Sequence, residues 1–418
     1  MTVNLDAIYT KKQQTIYRRC VNDDWFMLIN HGAKRSGKTV LNNDLFLQEL
    51  IRVKEMATKQ GIEKPMYIVS GATLGTIQNN ILTELTNKYG IQFSFDKHNN
   101  FTLFGVYCVQ AGHSTIAHLD KIRGMTAFGA YVNEGTLANE EVFDEIKSRC
   151  SGEGARILVD TNPDHPEHWL LKDYIESDAE GIISYSFQLD DNTFLSERYR
   201  KNMIETTPSG MFTDRNIYGR WVSGDGVVYA DFNKDKHTVT KDDLTEIKMV
   251  RYFCGVDWGY EHFGAIVVVG VDADGNYYVV EEHAHQHYDV EHDWVPIAKE
   301  IISRYGNIPF YCDSARPEYV KKFKDKKIHA KFASKKVMLG IETVATLIKS
   351  DQFYINYDEC PRFKDEIYKY VWHKTKDEPV EEFDDVLDAI RYALLSDKLV
   401  NSKKPKTEEL NALKSLLR

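Results

Sequence analysis

The 418-residue sequence has no pair of cysteines at CxxC spacing; Cys20, Cys108, Cys150, Cys254, Cys312 and Cys360 are scattered singly. That distribution argues against a zinc site or a disulfide framework and fits a reducing compartment. No stretch approaches the roughly 18 uninterrupted apolar residues that a membrane span needs, and the apolar run Gly264 to Val271 is far too short. The segment Met1 to Thr10 lacks the basic-then-apolar layout of an export signal. Internal repeats and low-complexity tracts are missing as well. So is positive charge: the formal net charge is −10. This opposes a nucleic-acid partner only on average, because an acidic chain can still carry a local basic track.

What is present is a globular composition, 42% hydrophobic, in a chain long enough for two domains of roughly 150 to 250 residues. The first half alternates short β-rich runs with helical stretches, as a mainly parallel sheet with crossover helices does. Strands are expected at Trp25 to Asn30, Met66 to Ser70, Gly129 to Asn133 and Arg156 to Asp160. Between Ser223 and Met249 the pattern dissolves into Gly, Asp and Lys. A second α/β layout then opens with Tyr252 to Val256 and a hairpin, Ala265 to Gly270 and Tyr277 to Glu282, joined through Asp274-Gly275. Helix-separated strands follow at Ile308 to Cys312, Ile328 to Phe332 and Phe353 to Ile355, before helices from about Pro361 and Asp384. The expected division is a first domain over 1–225, a linker over 226–249, a second domain over 250–400 and a basic, frayed tail over 401–418.

Gly32-Ala33-Lys34-Arg35-Ser36-Gly37-Lys38-Thr39 satisfies G-x-x-x-x-G-K-[ST] at every fixed position, after an apolar strand and before the helical run Val40 to Arg52. The glycines let backbone N–H groups turn inward around a phosphate, Lys38 brings a charge to the β- and γ-phosphates of ATP, and the Thr39 hydroxyl suits Mg²⁺. Gly32, Arg35, Ser36, Gly37, Lys38 and Thr39 are therefore the nucleotide-binding candidates. Such a loop needs an acidic strand end to polarise the attacking water. Glu134 supplies it, preceded by the neutral Asn133 where an Asp is usual. Thr161 and Asn162, in Thr161-Asn162-Pro163, end the next strand and suit a γ-phosphate sensor; alone they are equally a turn.

The second half places aspartates at strand ends, Asp257 in Val256-Asp257-Trp258-Gly259 and Asp313 in Cys312-Asp313-Ser314, and two more, Asp385 and Asp388, three apart on one face of the last long helix. Each alone is a cap or turn residue. Together they have the makings of a site for two Mg²⁺ or Mn²⁺ ions about 4 Å apart, the arrangement that clamps the attacking and leaving oxygens of a phosphodiester. Lys321, Lys322, Lys324, Lys331, Lys335 and Lys336 follow Asp313, where an entering duplex needs its phosphates neutralised. They would read no base sequence. His283, His285 and His287 alternate along an extended segment without a ligand set that completes a metal site, which favours a polar strand edge.

The phosphate loop with Arg35 inside it, then Arg123-Gly124-Met125-Thr126 leading into Tyr131-Val132-Asn133-Glu134, then Thr161-Asn162-Pro163, resembles the ATPase half of bacteriophage terminase large subunits. Tyr218-Gly219-Arg220-Trp221-Val222 and Gly226-Val227-Val228-Tyr229 resemble the segment that closes that half. Asp388-Ala389-Ile390-Arg391-Tyr392-Ala393 is similar to the D-A-x-R-Y-A motif that closes the family's ribonuclease H-like nuclease domain. The resemblance spans nearly the whole chain and implies an α/β fold: a P-loop ATPase domain followed by a ribonuclease H-like α/β domain. It also implies ATP-driven movement of double-stranded DNA into a procapsid and cutting of concatemeric DNA. By the same resemblance, Gln13 or Gln14 reads adenine, Arg35 acts in cis, and Arg123 or Arg149 acts in trans. Either Asp385 or Asp388 is the second-metal ligand. The implied partners are a small terminase subunit, the portal of the procapsid and further copies in a ring on that portal, in the cytoplasm of an infected bacterium and away from any membrane. A cellular helicase or repair ATPase fused to a nuclease is disfavoured because Thr161-Asn162-Pro163 stands where helicases carry a Ser-Ala-Thr type of motif. A non-catalytic DNA-binding scaffold predicts no metal-dependent nicking.

Overall fold

A computed structural model describes residues 5–373 and 376–402. The basic tail expected over 401–418 lies outside them from Lys403 onward, and Asn401 and Ser402 end the last helix. The chain forms two compact units. The first comprises Met1–Ile204 and Thr213–Ser223, and the second comprises Glu205–Phe212 and everything from Gly224.

The first unit is built on strands β1 (Met27–Gly32), β2 (Met66–Gly71), β3 (Phe101–Leu103), β4 (Val106–Gly112), β5 (Gly129–Asn133), β6 (Arg156–Thr161) and β7 (Ile182–Phe187), in the order β3-β4-β2-β5-β6-β1-β7. All pairs are parallel except β3 with β4. Strands in such a sheet are buried on both faces, which explains their continuous apolar runs. Leu28, Tyr67, Val69, Tyr131 and Leu158 pack on Leu41, Leu45, Phe46 and Leu50 of the helix Lys38–Lys59. Their strand neighbours Met27, Ile29, Ile68, Val132 and Val159 point the other way, onto Val142, Phe143 and Ile146 of the helix Glu140–Arg149.

The second unit has strands β8 (Thr238–Val239), β9 (Met249–Asp257), β10 (Gly264–Asp272), β11 (Tyr277–His285), β12 (Phe310–Cys312), β13 (Ala330–Phe332) and β14 (Phe353–Asn356), in the order β13-β12-β9-β10-β11-β14-β8. β9, β10 and β11 form the antiparallel centre, and β12, β13, β14 and β8 add in parallel. The Asp272 carboxylate shapes the β10–β11 turn by accepting the backbone N–H of Asp274 and Asn276, and Gly275 takes φ +88°. The stretch 226–249 was expected as a linker, but it is packed into this unit. Val228, Tyr229 and Phe232 are buried and β8 pairs with β14. A composition of Gly, Asp and Lys hid this, because the apolar side chains that carry the packing, these three and Val239, Leu244, Ile247 and Met249 against the sheet core, are dispersed among polar ones.

The closing helix, Asp385–Ser402, crosses the sheet at Gly255 of β9. A Cβ there would lie 1.8 Å from the Ala389 carbonyl oxygen and 2.9 Å from the Ala393 Cβ. Only a residue without a side chain admits this approach. It brings Asp388 against the strand end that carries Asp257.

Candidate active sites

In the first unit, β1 runs directly into the phosphate loop. Gly32 has φ +133°, and a Cβ on it would sit 2.0 Å from the Phe187 oxygen of β7. Gly37 turns the chain into the helix Lys38–Lys59 at φ +94°, and Arg35 takes φ +60° with an exposed side chain. The Ser36 hydroxyl closes the loop by donating to the Ala33 carbonyl at 2.8 Å. Lys38 is 6% exposed, and its Nζ donates to the Gly32 carbonyl (3.0 Å), the Ala33 carbonyl (2.7 Å) and Asn162 Oδ1 (3.1 Å). Burial pushes this ammonium down to about 8, against the pull of Asp160 and Glu134. Thr39 follows in the first turn of the helix, partly exposed.

Glu134 stands at the tip of β5 with φ +59°, and burial together with the charge of Asp160 raises its carboxyl above the ordinary range. Thr161 is tied to the segment after Glu134, since its Oγ1 accepts from Thr136 N at 2.9 Å. The structure thus gathers Lys38, Glu134, Asn133, Thr161 and Asn162 at adjoining strand ends. The two glutamines separate. Gln13 Nε2 donates to the Gly37 carbonyl at 2.9 Å, whereas Gln14 turns away to Asp6 Oδ1 (2.7 Å) and the Tyr9 carbonyl (3.1 Å). Gln14, a nucleotide-binding candidate by resemblance, is therefore engaged elsewhere, because it faces a different side of the helix Lys11–Asn22 from its neighbour. Arg123 pairs with Asp120 on an exposed turn, and Arg149 pairs with Glu145 on its own helix.

In the second unit, a cleft of about 950 Å³ is lined by Asp257, Arg316, Arg362, Asp384, Asp385 and Asp388, among others. Asp313 lies beside it, 6% exposed, with its backbone N–H on the Val256 carbonyl at 2.9 Å. Burial, then the charges of Asp388, Asp313, Asp385 and Asp384, push the Asp257 carboxyl well up. Asp388 is also raised by burial, and Asp384 reaches about 7 for the same reason. The chain's own cations hold these acids: Lys335 Nζ is 3.3 Å from Asp313 Oδ1, Arg362 Nη2 is 2.9 Å from Asp385 Oδ2, and Arg391 grips Asp388 through Nε and Nη2. Among the described residues, no three His, Cys, Asp or Glu side chains stand ready to chelate one ion. The histidines take other roles: His283 bonds Glu281 at 3.3 Å and His285 stacks on Tyr288.

Of the lysine run, Lys335 alone is paired with an acid of this site. Lys322 pairs with Glu291 at 3.0 Å, Lys324 lies over the Phe332 ring, and Lys331 lies over Tyr311. Lys321 and Lys336 are exposed.

Sequence reading passed over Glu366 and Arg362. Glu366 is fully buried, its Oε2 accepts the N–H of Val386 (2.9 Å) and Leu387 (3.2 Å), and its Oε1 accepts Arg362 Nε (2.7 Å). It caps the closing helix from outside the local sequence, so no capping pattern next to Asp385 could have disclosed it.

Two family descriptions match the chain. "Terminase large subunit, T4likevirus-type, N-terminal" covers residues 31–234, and "Terminase RNaseH-like domain" covers residues 254–397. Among solved structures, the large terminase from the thermophilic bacteriophage D6E superposes with a TM-score of 0.79 at 22% identity, over 92% of this chain and 98% of that one. The same protein in complex with ADP and in complex with ATP-gamma-S gives 0.76 at 23% identity, over the same shares. At these identities the likeness is one of fold. No curated protein matches.

Proposed function

Because the chain belongs to the phage terminase large-subunit family, whose general role is ATP-driven DNA packaging and DNA cutting, we propose that it hydrolyses ATP in its first unit and cuts double-stranded DNA in its second. The observation that carries this reading is the pairing of Lys38 with Asn162 beside Glu134, with a separate acid-lined cleft in the other unit.

In the first site Lys38 would exchange the Gly32 and Ala33 carbonyls for the β- and γ-phosphates, and the Thr39 hydroxyl would hold Mg²⁺. Glu134 orients the attacking water. Asn162, bonded to Lys38, and Thr161, tied to Thr136, pass the phosphate state along β6. Gln13 is favoured over Gln14 as the glutamine that senses the nucleotide, because its amide already donates to the Gly37 carbonyl.

The donor set of the second site fits a hard divalent cation. All its donors are carboxylate oxygens, and burial, then their mutual repulsion, raises Asp257. Asp257, Asp313 and one or both of Asp385 and Asp388 would hold Mg²⁺ or Mn²⁺. Bound there, the ion supplies charge neutralisation to the oxygens of the phosphodiester. Lys335, Arg362 and Arg391 keep the acids oriented, and they would yield them to a bound cation. The exposed Lys321 and Lys336, with Lys335, lead the duplex phosphates toward the cleft. A small subunit, a portal ring and further copies of the chain are the partners of this reading, and the host cytoplasm is its setting. Among the described residues no helix is long and apolar enough to cross a membrane.

A paired assay tests the reading. Lys38→Ala should abolish ATP turnover and retain Mn²⁺-dependent plasmid cleavage, and Asp257→Ala should do the reverse. If neither change alters either activity, the residue assignments fail. If the parent itself neither turns over ATP nor nicks plasmid, a scaffold role replaces the enzyme.

A further inference from the structure

The residue before Glu134 is neutral, and the structure puts a carboxylate one strand away. Asn133 is fully engaged. Its Oδ1 accepts from Asn80 Nδ2 at 2.9 Å, and its Nδ2 donates to Asp160 Oδ1 at 2.7 Å. Asp160 is its partner in the β5–β6 register and is 1% exposed. Oδ1 of Asp160 also accepts the Glu134 backbone N–H at 3.1 Å, and Oδ2 accepts the Tyr131 hydroxyl at 2.8 Å. Burying an ionised carboxylate is costly unless other groups compensate. Here burial raises the carboxyl, and three neutral donors, Asn133 Nδ2, the Glu134 N–H and the Tyr131 hydroxyl, together with the charge of Lys38, pull the other way. The hydrogen bond to Glu134 N falls on a residue with φ +59°, a conformation strained for a non-glycine residue that persists only where neighbours fix it.

We propose that Asp160 is a positioning residue of the ATPase site: from β6 it supplies the negative charge that Asn133 cannot supply from β5, and it fixes the backbone that aims Glu134. The proposal rests on the ATPase reading above. The charge has moved across one rung of the sheet, and the hydrogen bond between positions 133 and 160 survives whichever of the two carries the acid.

That symmetry gives the test. Full-length parent, Asp160→Asn and the double variant Asn133→Asp/Asp160→Asn are compared for ATP kcat and KM, for affinity toward a fluorescent ATP analogue with Mg²⁺, and for melting midpoint. Asp160→Asn should lower kcat by about tenfold or more, within the range that positioned acid–base groups contribute. Its KM and analogue affinity should change by no more than about threefold, the signature of an interaction needed in the transition state. The double variant should recover most of the lost kcat. Retention of kcat in Asp160→Asn overturns the proposal, and so does a folded double variant as inactive as the single one. If Asp160→Asn fails to fold, the double variant decides alone: active supports the proposal, folded but inactive overturns it. A parent without turnover would instead defeat the underlying ATPase reading, so the two failures are distinguishable.

Discussion

At the scale of single residues, the environment of the phosphate loop makes a pH prediction. His31 is the buried residue next to the end of β1, and its Nδ1 accepts from Trp221 Nε1 at 3.1 Å. Burial, with Lys38 and Lys12 nearby, pushes its imidazolium down to about 4 from the usual 6.5. The folded chain therefore keeps His31 neutral while the unfolded chain protonates it. Stability from this group is intact above about pH 7 and is lost as pH falls from about 6.5 toward 4, by up to about 3 kcal/mol. His31→Gln retains an acceptor for Trp221 and removes the titration. The gap in melting midpoint between parent and variant should shift in favour of the variant between pH 7.5 and 5, and a gap constant over that range would refute the assignment. The glutamines offer a second test. Gln13→Ala should raise KM for ATP, and Gln14→Ala should leave it near the parent value, since Gln14 is bound to Asp6 and Tyr9. The reverse order would make Gln14 the adenine-reading glutamine.

At the scale of elements, the apolar runs of the first sheet were legible because strands buried on both faces are filled mainly by apolar side chains, with polar residues such as Asn30 and Asp160 toward their ends. β1 was expected at Trp25 to Asn30 and lies at Met27–Gly32. The displacement arises because Trp25 is buried before the strand begins, with its indole N–H on the Cys20 carbonyl. β3, β4, β7 and β8 were not anticipated, since their side chains are mixed and their pairing depends on distant partners. The acids of the second site were visible as strand-end and helix residues. The contact that gathers them was not, because a lone Gly255 in an apolar strand gives no hint of what crosses it. Its role can be tested directly. Gly255→Val places atoms where the Ala389 carbonyl and Ala393 lie, so the closing helix must move or the strand must shift, at about 1–3 kcal/mol or more. Nuclease activity should fall further than stability does, because Asp257 and Asp388 sit on the two elements forced apart. Gly270→Val, in the neighbouring strand β10, meets mainly the Met249 and Tyr252 side chains and should cost stability without a matching loss of cutting. Equal activity losses in the two variants would mean that the approach at Gly255 does not set the carboxylates.

At the scale of the whole molecule, the two sites lie in units with separate cores, so each should answer to its own ligand. A ligand that binds only the folded state at about 100 times its Kd stabilises that state by about 2.7 kcal/mol. For a unit of this size this raises the melting midpoint by on the order of 5 °C. An ATP analogue with Mg²⁺ should raise the transition of the first unit, and Lys38→Ala should remove that rise while leaving the response to Mn²⁺ intact. Mn²⁺ should raise the transition of the second unit, and Asp257→Ala should remove that rise alone. Chelation has a further consequence. Lys335, Arg362 and Arg391 already neutralise Asp313, Asp385 and Asp388, so stripping divalent ions should stop cutting without unfolding the second unit. Structural metal sites behave otherwise, since their folding free energy is largely their binding free energy. Calorimetry with and without chelator separates the cases: collapse of the second transition on chelation would make the ion part of the fold. An unchanged transition together with lost cleavage would leave the three cations as the groups that keep the acid-lined cleft assembled until a divalent ion takes their place.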